Sequence, residues 1–424
     1  MSTTSDFGYS DGWRYGLMGL PLAFVALPLY VILPNHYARD FGVPLATLGA
    51  VLLGARLFDA FIDPLLGRWS DALFARSVRA VLAWAAVAAI ILFAGFTLLF
   101  FPPVRSQTGL VVWATCCLMV TYAAYSALSI THQSWGAMLG GDEAQRGRVV
   151  AWREGLGLAG VVLASIAPVA LGLPATTALF LIALGTGWWA WTLARKPLSA
   201  AMPTGHFSAG QPSALLLPFS RPAYRALLAV FVVNGIASAV PATLILFFVQ
   251  DKLQAPQSAE PLFLGSYFLS AALAIPLWLK AIARFGLART WLLGMALSIA
   301  VFVFASQLGA GDTAAFIWVC ALSGAALGTD LTVPGALLAG TIAAHGDRGR
   351  AEGAYFGWWN FATKLNLALA AGVALPLLGW LGYTPGARDP QALQTLTLAY
   401  CLLPCALKAL AAILLHTLII RRTP

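Results

Sequence analysis

Arg56, Asp59 and Asp63 stand at steps of three and four residues inside an apolar run that extends from Val43 to about Leu66. On a helix those steps turn by roughly −60° and +40°, so the three ionisable groups share one face about 10 Å tall. The run is long enough to cross a bilayer, and charge carried to that depth is costly. Two carboxylates one turn apart repel unless a cation or proton sits between them. Arg56, one turn away, offsets only part of that repulsion. The arrangement asks for a positive ligand.

Other ionisable residues are carried into apolar runs as well. Lys364 lies about twelve residues into its run, or ~18 Å at the helical rise, too deep to reach headgroups by snorkelling. It should face a cavity, either to meet a ligand or to close a salt bridge between bundles. Asp330 and Lys408 lie at similar depths and form a candidate charge network, paired with each other or joined to Lys364, and mutual neutralisation explains them as well as function does. His132 reads as a hydrogen-bonded histidine near a helix end ahead of a proton relay. Trp358 and Trp359 read as an interface belt.

The elements that must position these groups are long apolar helices. Runs bounded by Pro, Gly or charged breaks fall near 15–34, 43–66, 78–101, 108–133, 149–171, 174–194, 223–250, 261–282, 287–309, 313–343, 352–380 and 392–420. The polar stretch from Arg195 to Arg221 divides them six and six. This predicts a bundle over 1–195 that holds the cation site, a linker at 196–221 and a second bundle over 222–424. With 60% hydrophobic and only 10% charged residues among 424, the composition is that of a polytopic membrane protein. The run at 15–33 lacks a following small-residue cleavage site and reads as a retained first span.

Of the 25 Lys and Arg, only Arg39, Arg105, Lys252 and Arg388 fall in loops on one side, while Arg56, Lys364 and Lys408 lie within spans. The rest crowd the even-numbered loops and the tails, so the positive-inside rule places both termini and the linker in the cytoplasm. The same rule accounts for the +9 formal charge without a nucleic-acid partner, since no polar module gathers the basic residues. Five cysteines, Cys116, Cys117, Cys320, Cys401 and Cys405, all fall in apolar runs and predict neither a disulfide framework nor a metal site. No span carries a nucleophile-base pair or an H-E-x-x-H cluster, so an enzyme is the least favoured class.

Two six-helix bundles joined by a cytoplasmic linker are the architecture of the major facilitator superfamily. The segment Arg-Leu-Phe-Asp-Ala-Phe-Ile-Asp-Pro-Leu-Leu-Gly-Arg-Trp-Ser-Asp, from Arg56 to Asp71, resembles the signature of its glycoside-pentoside-hexuronide:cation symporter family. Arg146-Gly147-Arg148 through Trp152-Arg153 is similar to that family's loop between helices 4 and 5. Gly349-Arg350-Ala351-Glu352-Gly353 through Lys364 is similar to its start of helix 11. The resemblance implies Asp59, Asp63 and the hydroxyl of Ser126 as cation-binding groups. It implies Tyr30, Arg56, Ser129, Arg153 and Lys364 as the substrate-binding set, and Asp71, with a loop arginine, as a gate. The chain departs from the family where Ala23 and Ser129 replace two sugar-gripping aspartates, and where Ile62 replaces an asparagine oxygen.

The expectation is therefore an all-α membrane protein of twelve transmembrane helices, acting as a cation-coupled symporter of a small polar or amphiphilic solute. It needs no cofactor; the coupling ion is H+ or Na+, with Ile62 favouring protons. Its partners are the solute, the cation and the lipid bilayer, and it is a monomer of the inner (cytoplasmic) membrane. Retained Arg153 and Lys364 favour an anionic or zwitterionic solute. A lysolipid transporter of the same fold, or a membrane receptor or scaffold that transports nothing, are the alternatives.

Overall fold

The computed structural model describes residues 7–197 and 215–422. The expected linker at 196–221 falls largely on 198–214, outside the described residues. Every element among the described residues is helical. Among these residues twelve long helices follow in order: α1 Tyr9–Asp40, α2 Leu45–Arg76, α3 Val78–Phe100, α4 Gln107–Met138, α5 Glu143–Pro168 and α6 Ala170–Thr192. Then come α7 Pro222–Lys252, α8 Glu260–Phe285, α9 Leu287–Ala305, α10 Thr313–Ala344, α11 Glu352–Trp380 and α12 Pro390–Leu418. Ten of them are long and apolar enough to cross a membrane. The other two, α2 and α11, have 32 and 29 residues, length enough to span, and carry Arg56, Asp59, Asp63 and Lys364. The chain is an all-α, multi-pass membrane protein.

Local chemistry sets the helix limits. Side chains of Ser77, Ser106, Asp142 and Asp389 accept backbone N–H bonds at the starts of α3, α4, α5 and α12, satisfying donors that a helix leaves orphaned. Two sharp bends require glycine: Gly172, at a kink in the first turn of α6, has φ 78°, and Gly286 between α8 and α9 has φ 80°.

The side chains sort as lipid demands. On α8, Leu262, Leu269, Leu273 and Leu277 form an exposed stripe, while the smaller Ala271 and Ala274 are buried. With hydrocarbon outside, large apolar residues lose nothing by facing out, and small ones let helices approach. Such approaches are direct. A Cβ at Gly160 of α5 would strike the Leu20 carbonyl of α1, and one at Gly324 of α10 would strike the Tyr267 carbonyl of α8.

Contacts divide the chain into two compact units. The first comprises Met1–Ser220 with Ala339–Phe361, and the second Arg221–Leu338 with Ala362–Pro424. The first is built on a core that includes Phe24, Phe96 and Phe180. The second is built on Phe248, Phe263, Phe316 and Tyr400.

Candidate functional site

In the first unit, α2 carries Asp59 and Asp63 into the interior, where they are 2% and 0% exposed. Pro64 follows directly. Lacking an N–H, it leaves the Ala60 carbonyl without its helical donor and loosens the helix beside Asp63. Across from α2, the Ser126 hydroxyl of α4 donates to Asp59 Oδ1 at 2.7 Å, and Ser126 is itself buried. The two implied cation-binding groups that lie on different helices therefore meet. Asp63 lies one turn further along the same helix.

Arg56 takes a different partner from its neighbouring carboxylates. Its guanidinium lies over the Tyr30 ring, 4.3 Å from the centroid, an attraction to the ring's negative face. Tyr30 belongs to a π-helical turn at Pro28–Ile32 within α1. Such a turn inserts an extra residue and re-aims the side chains around it. Tyr122 of α4 completes the wall, its ring 6.0 Å from that of Tyr30. Sequence reasoning passed over Tyr122, although it precedes Ser126 and Ser129 by four and seven residues and so shares their helical face.

Ser129 is buried, and its hydroxyl accepts from Gln133 Nε2 at 2.9 Å, one turn along α4. Arg153 is not a bare cation: its Nε and Nη2 both donate to Glu154 Oε1, at 2.9 and 2.5 Å. The neighbouring carboxylate offsets the charge that favoured an anionic solute, and Glu154 had no place in the sequence-based set. Lys364 lies half-buried on the part of α11 that belongs to the second unit. His132 is fully buried and tied to α1. Its Nε2 donates to the Tyr15 carbonyl at 2.9 Å, Tyr15 donates to the His132 carbonyl, and the two rings stack at 4.4 Å.

Asp71 finds a firmer partner than a loop arginine. It accepts the backbone N–H groups of Gly353 and Ala354 at 2.6 and 3.0 Å, at the positive N-terminal end of α11. Arg68 stands 4.0 Å away and contributes from outside. The approach depends on glycine, for a Cβ at Gly67 would strike the Gly353 carbonyl, and one at Gly357 would lie 2.6 Å from the Asp63 carbonyl. Residues 63, 67 and 71 of α2 thus lie along the start of α11 at one-turn intervals.

In the second unit Asp330 and Lys408 form an ion pair at 2.9 Å, their side chains 13% and 7% exposed. The ammonium also donates to Asn234 Oδ1 and the Ser238 hydroxyl. The carboxylate accepts from Asn234 Nδ2, Ser238 and Trp291 Nε1, the last at 2.8 Å. Of these five residues only the two charged ones stood out in the sequence, because Asn, Ser and Trp are unremarkable in a membrane helix.

Long apolar helices packed around buried carboxylates are the features of a membrane transporter of the major facilitator type. The family described as MFS/sugar transport protein matches residues 14–422, and the chain belongs to it. Over 94% of its length the chain is 23% identical to YjmB of Bacillus subtilis (strain 168), named an uncharacterized symporter, of which it covers 89%. Over 37% of the chain it is 25% identical to the inner membrane symporter YicJ of Escherichia coli (strain K12), of which it covers 33%. Among solved structures, a bacterial homologue of the iron transporter ferroportin in the outward-facing state superposes with a TM-score of 0.70. The identity there is 15%, over 96% of this chain and 98% of that one. The E. coli fucose:proton symporter FucP superposes with a TM-score of 0.66 at 16% identity, over 95% and 98% of the two chains. These structures share the fold. The family and its neighbours are transporters, not enzymes.

Proposed function

We propose that this chain is a cation-coupled symporter that moves a small polar or amphiphilic solute by alternating access. The observation that carries the reading is the pair of fully buried carboxylates on one face of α2, with the Ser126 hydroxyl bonded to the first of them. A proton or sodium ion at Asp59 and Asp63 relieves their repulsion, and Ser126 offers a further oxygen. An uncompensated carboxylate in a closed, dry interior is costly, so the empty site resists the change of state that the loaded site permits. Coupling follows from that cost. The relatives named as symporters, and a fold neighbour that couples fucose to protons, support the reading.

Protons are favoured over sodium, because Ile62 offers no oxygen beside Asp63. Tyr30, Arg56, Ser129, Arg153 and Lys364 are the proposed solute contacts. Since Glu154 offsets Arg153, any preference for an anionic or zwitterionic solute rests on Lys364. Asp71, bonded to the α11 N-terminus, is the proposed gate: its bonds serve gating only if they exist in one state and not in the other. The protein is placed as a monomer in the inner membrane, with the linker and both termini in the cytoplasm. The division at 196–221 is proposed as the boundary between two six-helix bundles.

The decisive experiment is uptake into proteoliposomes of a solute chosen by thermal stabilisation of the purified protein. Accumulation driven by an imposed pH gradient is expected. Accumulation driven by sodium alone at clamped pH would reverse the ion assignment, and no gradient dependence at all would remove coupling.

A further inference from the structure

The second unit holds a cavity of about 170 Å³. Its walls come from α7, α8, α9, α10 and α12, and none of its residues belongs to the proposed cation site. Asp330 and Lys408 form part of the wall. The pair does not recruit an ion: Lys408 already has three acceptors, Asp330 is its counter-charge, and together they are neutral. A ligand with net charge would bring an uncompensated ion into an otherwise apolar chamber.

Two groups on the cavity wall still lack partners. Among the described residues neither the Tyr267 nor the Tyr400 hydroxyl makes a hydrogen bond within the protein, and both residues line the cavity. Tyr400 cannot turn away, since its ring stacks on Phe248 at 4.3 Å. The rest of the wall includes Phe268, Ile299 and Phe302. A cavity of about 150 Å³ with such a lining is large enough for benzene. Two unpartnered phenolic hydroxyls on the wall of a mostly apolar chamber of this size suit a molecule with one polar group and a compact carbon body.

We propose that this cavity binds an uncharged cyclic or branched alcohol of about benzene's size, its hydroxyl held by Tyr267 and Tyr400 and its carbon body against Phe268, Ile299 and Phe302. The site stands whether or not Asp59 and Asp63 bind a cation.

The protein carries its own reporters. The free thiols of Cys320 and Cys405 line the cavity, whereas Cys116 of α4 is exposed and outside it. The full chain in lipid nanodiscs is treated with methyl methanethiosulfonate, with and without cyclohexanol, and modification of each cysteine is followed by mass spectrometry. Cyclohexanol is expected to slow modification of Cys320 and Cys405 at least several-fold while leaving Cys116 unchanged. Tyr267→Phe with Tyr400→Phe should raise the cyclohexanol concentration needed for protection by about tenfold, the loss of two modest hydrogen bonds. Ser323→Leu, which fills the cavity, should abolish protection.

Equal protection by cyclohexane would show that the polar end is not read, and would overturn the assignment to an alcohol. Unprotected cysteines, protection that also covers Cys116, or protection unchanged in the double Phe variant would each overturn the site. So would failure of the reagent to reach Cys320 and Cys405 at all, since a chamber closed to it is closed to cyclohexanol.

Discussion

Ser126 donates a hydrogen bond to Asp59 at 2.7 Å, joining α4 to α2 across 67 residues of sequence. The bond is made to a buried carboxylate, and hydrogen bonds to charged groups contribute about 1.5–3 kcal/mol. Its removal separates the two coupling ions by sign. In Ser126→Ala the charged form of Asp59 loses a donor, so a proton should bind more tightly. The pH for half-maximal uptake should then move toward alkaline by about one unit. A sodium site would instead lose an oxygen ligand and bind more weakly. Uptake measured against pH and against sodium in this variant reads which holds. An unchanged profile in both would remove Ser126 from the site.

Asp59→Asn and Asp63→Asn should each abolish accumulation against a gradient while leaving the protein inserted and folded. Asn is nearly isosteric, and it removes a charge that is costly at this depth. Downhill exchange should persist, because a neutral site no longer waits for a cation. Melting temperature and both transport modes are the measurements. If instead both variants melt far below wild type, the carboxylates serve only to compensate Arg56, and the cation site lies elsewhere.

The Asp330–Lys408 pair should behave as a keystone of the second unit. Lys408→Met strands a buried carboxylate and Asp330→Asn strands a buried ammonium, each costing about 3–5 kcal/mol. The double variant should recover most of that loss, since two neutral groups need no counter-charge. Denaturation of the three proteins in detergent checks it. Additive losses in the double variant would mean that the pair does not act as a unit.

Gly67→Ala and Asp71→Asn address the contact between α2 and the start of α11. A methyl group at 67 would strike the Gly353 carbonyl, forcing the helices apart at a cost of about 1–3 kcal/mol. Asp71→Asn weakens two charge-assisted bonds to backbone N–H groups. Both variants should express and insert, melt below wild type and lose uptake. Full uptake in either would remove the contact from the transport cycle.

Glu154→Gln should release Arg153 from its neighbour. Binding of an anionic solute should then tighten about tenfold if Arg153 contacts it, the value of one strong charge-assisted bond. Isothermal titration with the transported solute and its neutral analogue reads the difference; equal changes for both would remove Arg153 from solute contact.

By itself the sequence determined what depends on the chain's own periodicity and on water's refusal to enter hydrocarbon. Twelve apolar runs and the common face of Arg56, Asp59 and Asp63 were legible because a helix fixes the angle between its own residues, although α2 continues to Arg76, well past the expected end near Leu66. Asp330, Lys408 and Lys364 were conspicuous because charge is rare at such depth. Only the tertiary structure decided which faces meet. Helix periodicity alone does not say that Ser126 rather than Ser129 reaches Asp59, which only the family resemblance implied, or that Tyr30 lies under Arg56, because the rotation of one helix against another is set by packing between them. Asp71 shows the limit most plainly. Its partners are backbone N–H groups, which every residue but proline carries and no side chain announces.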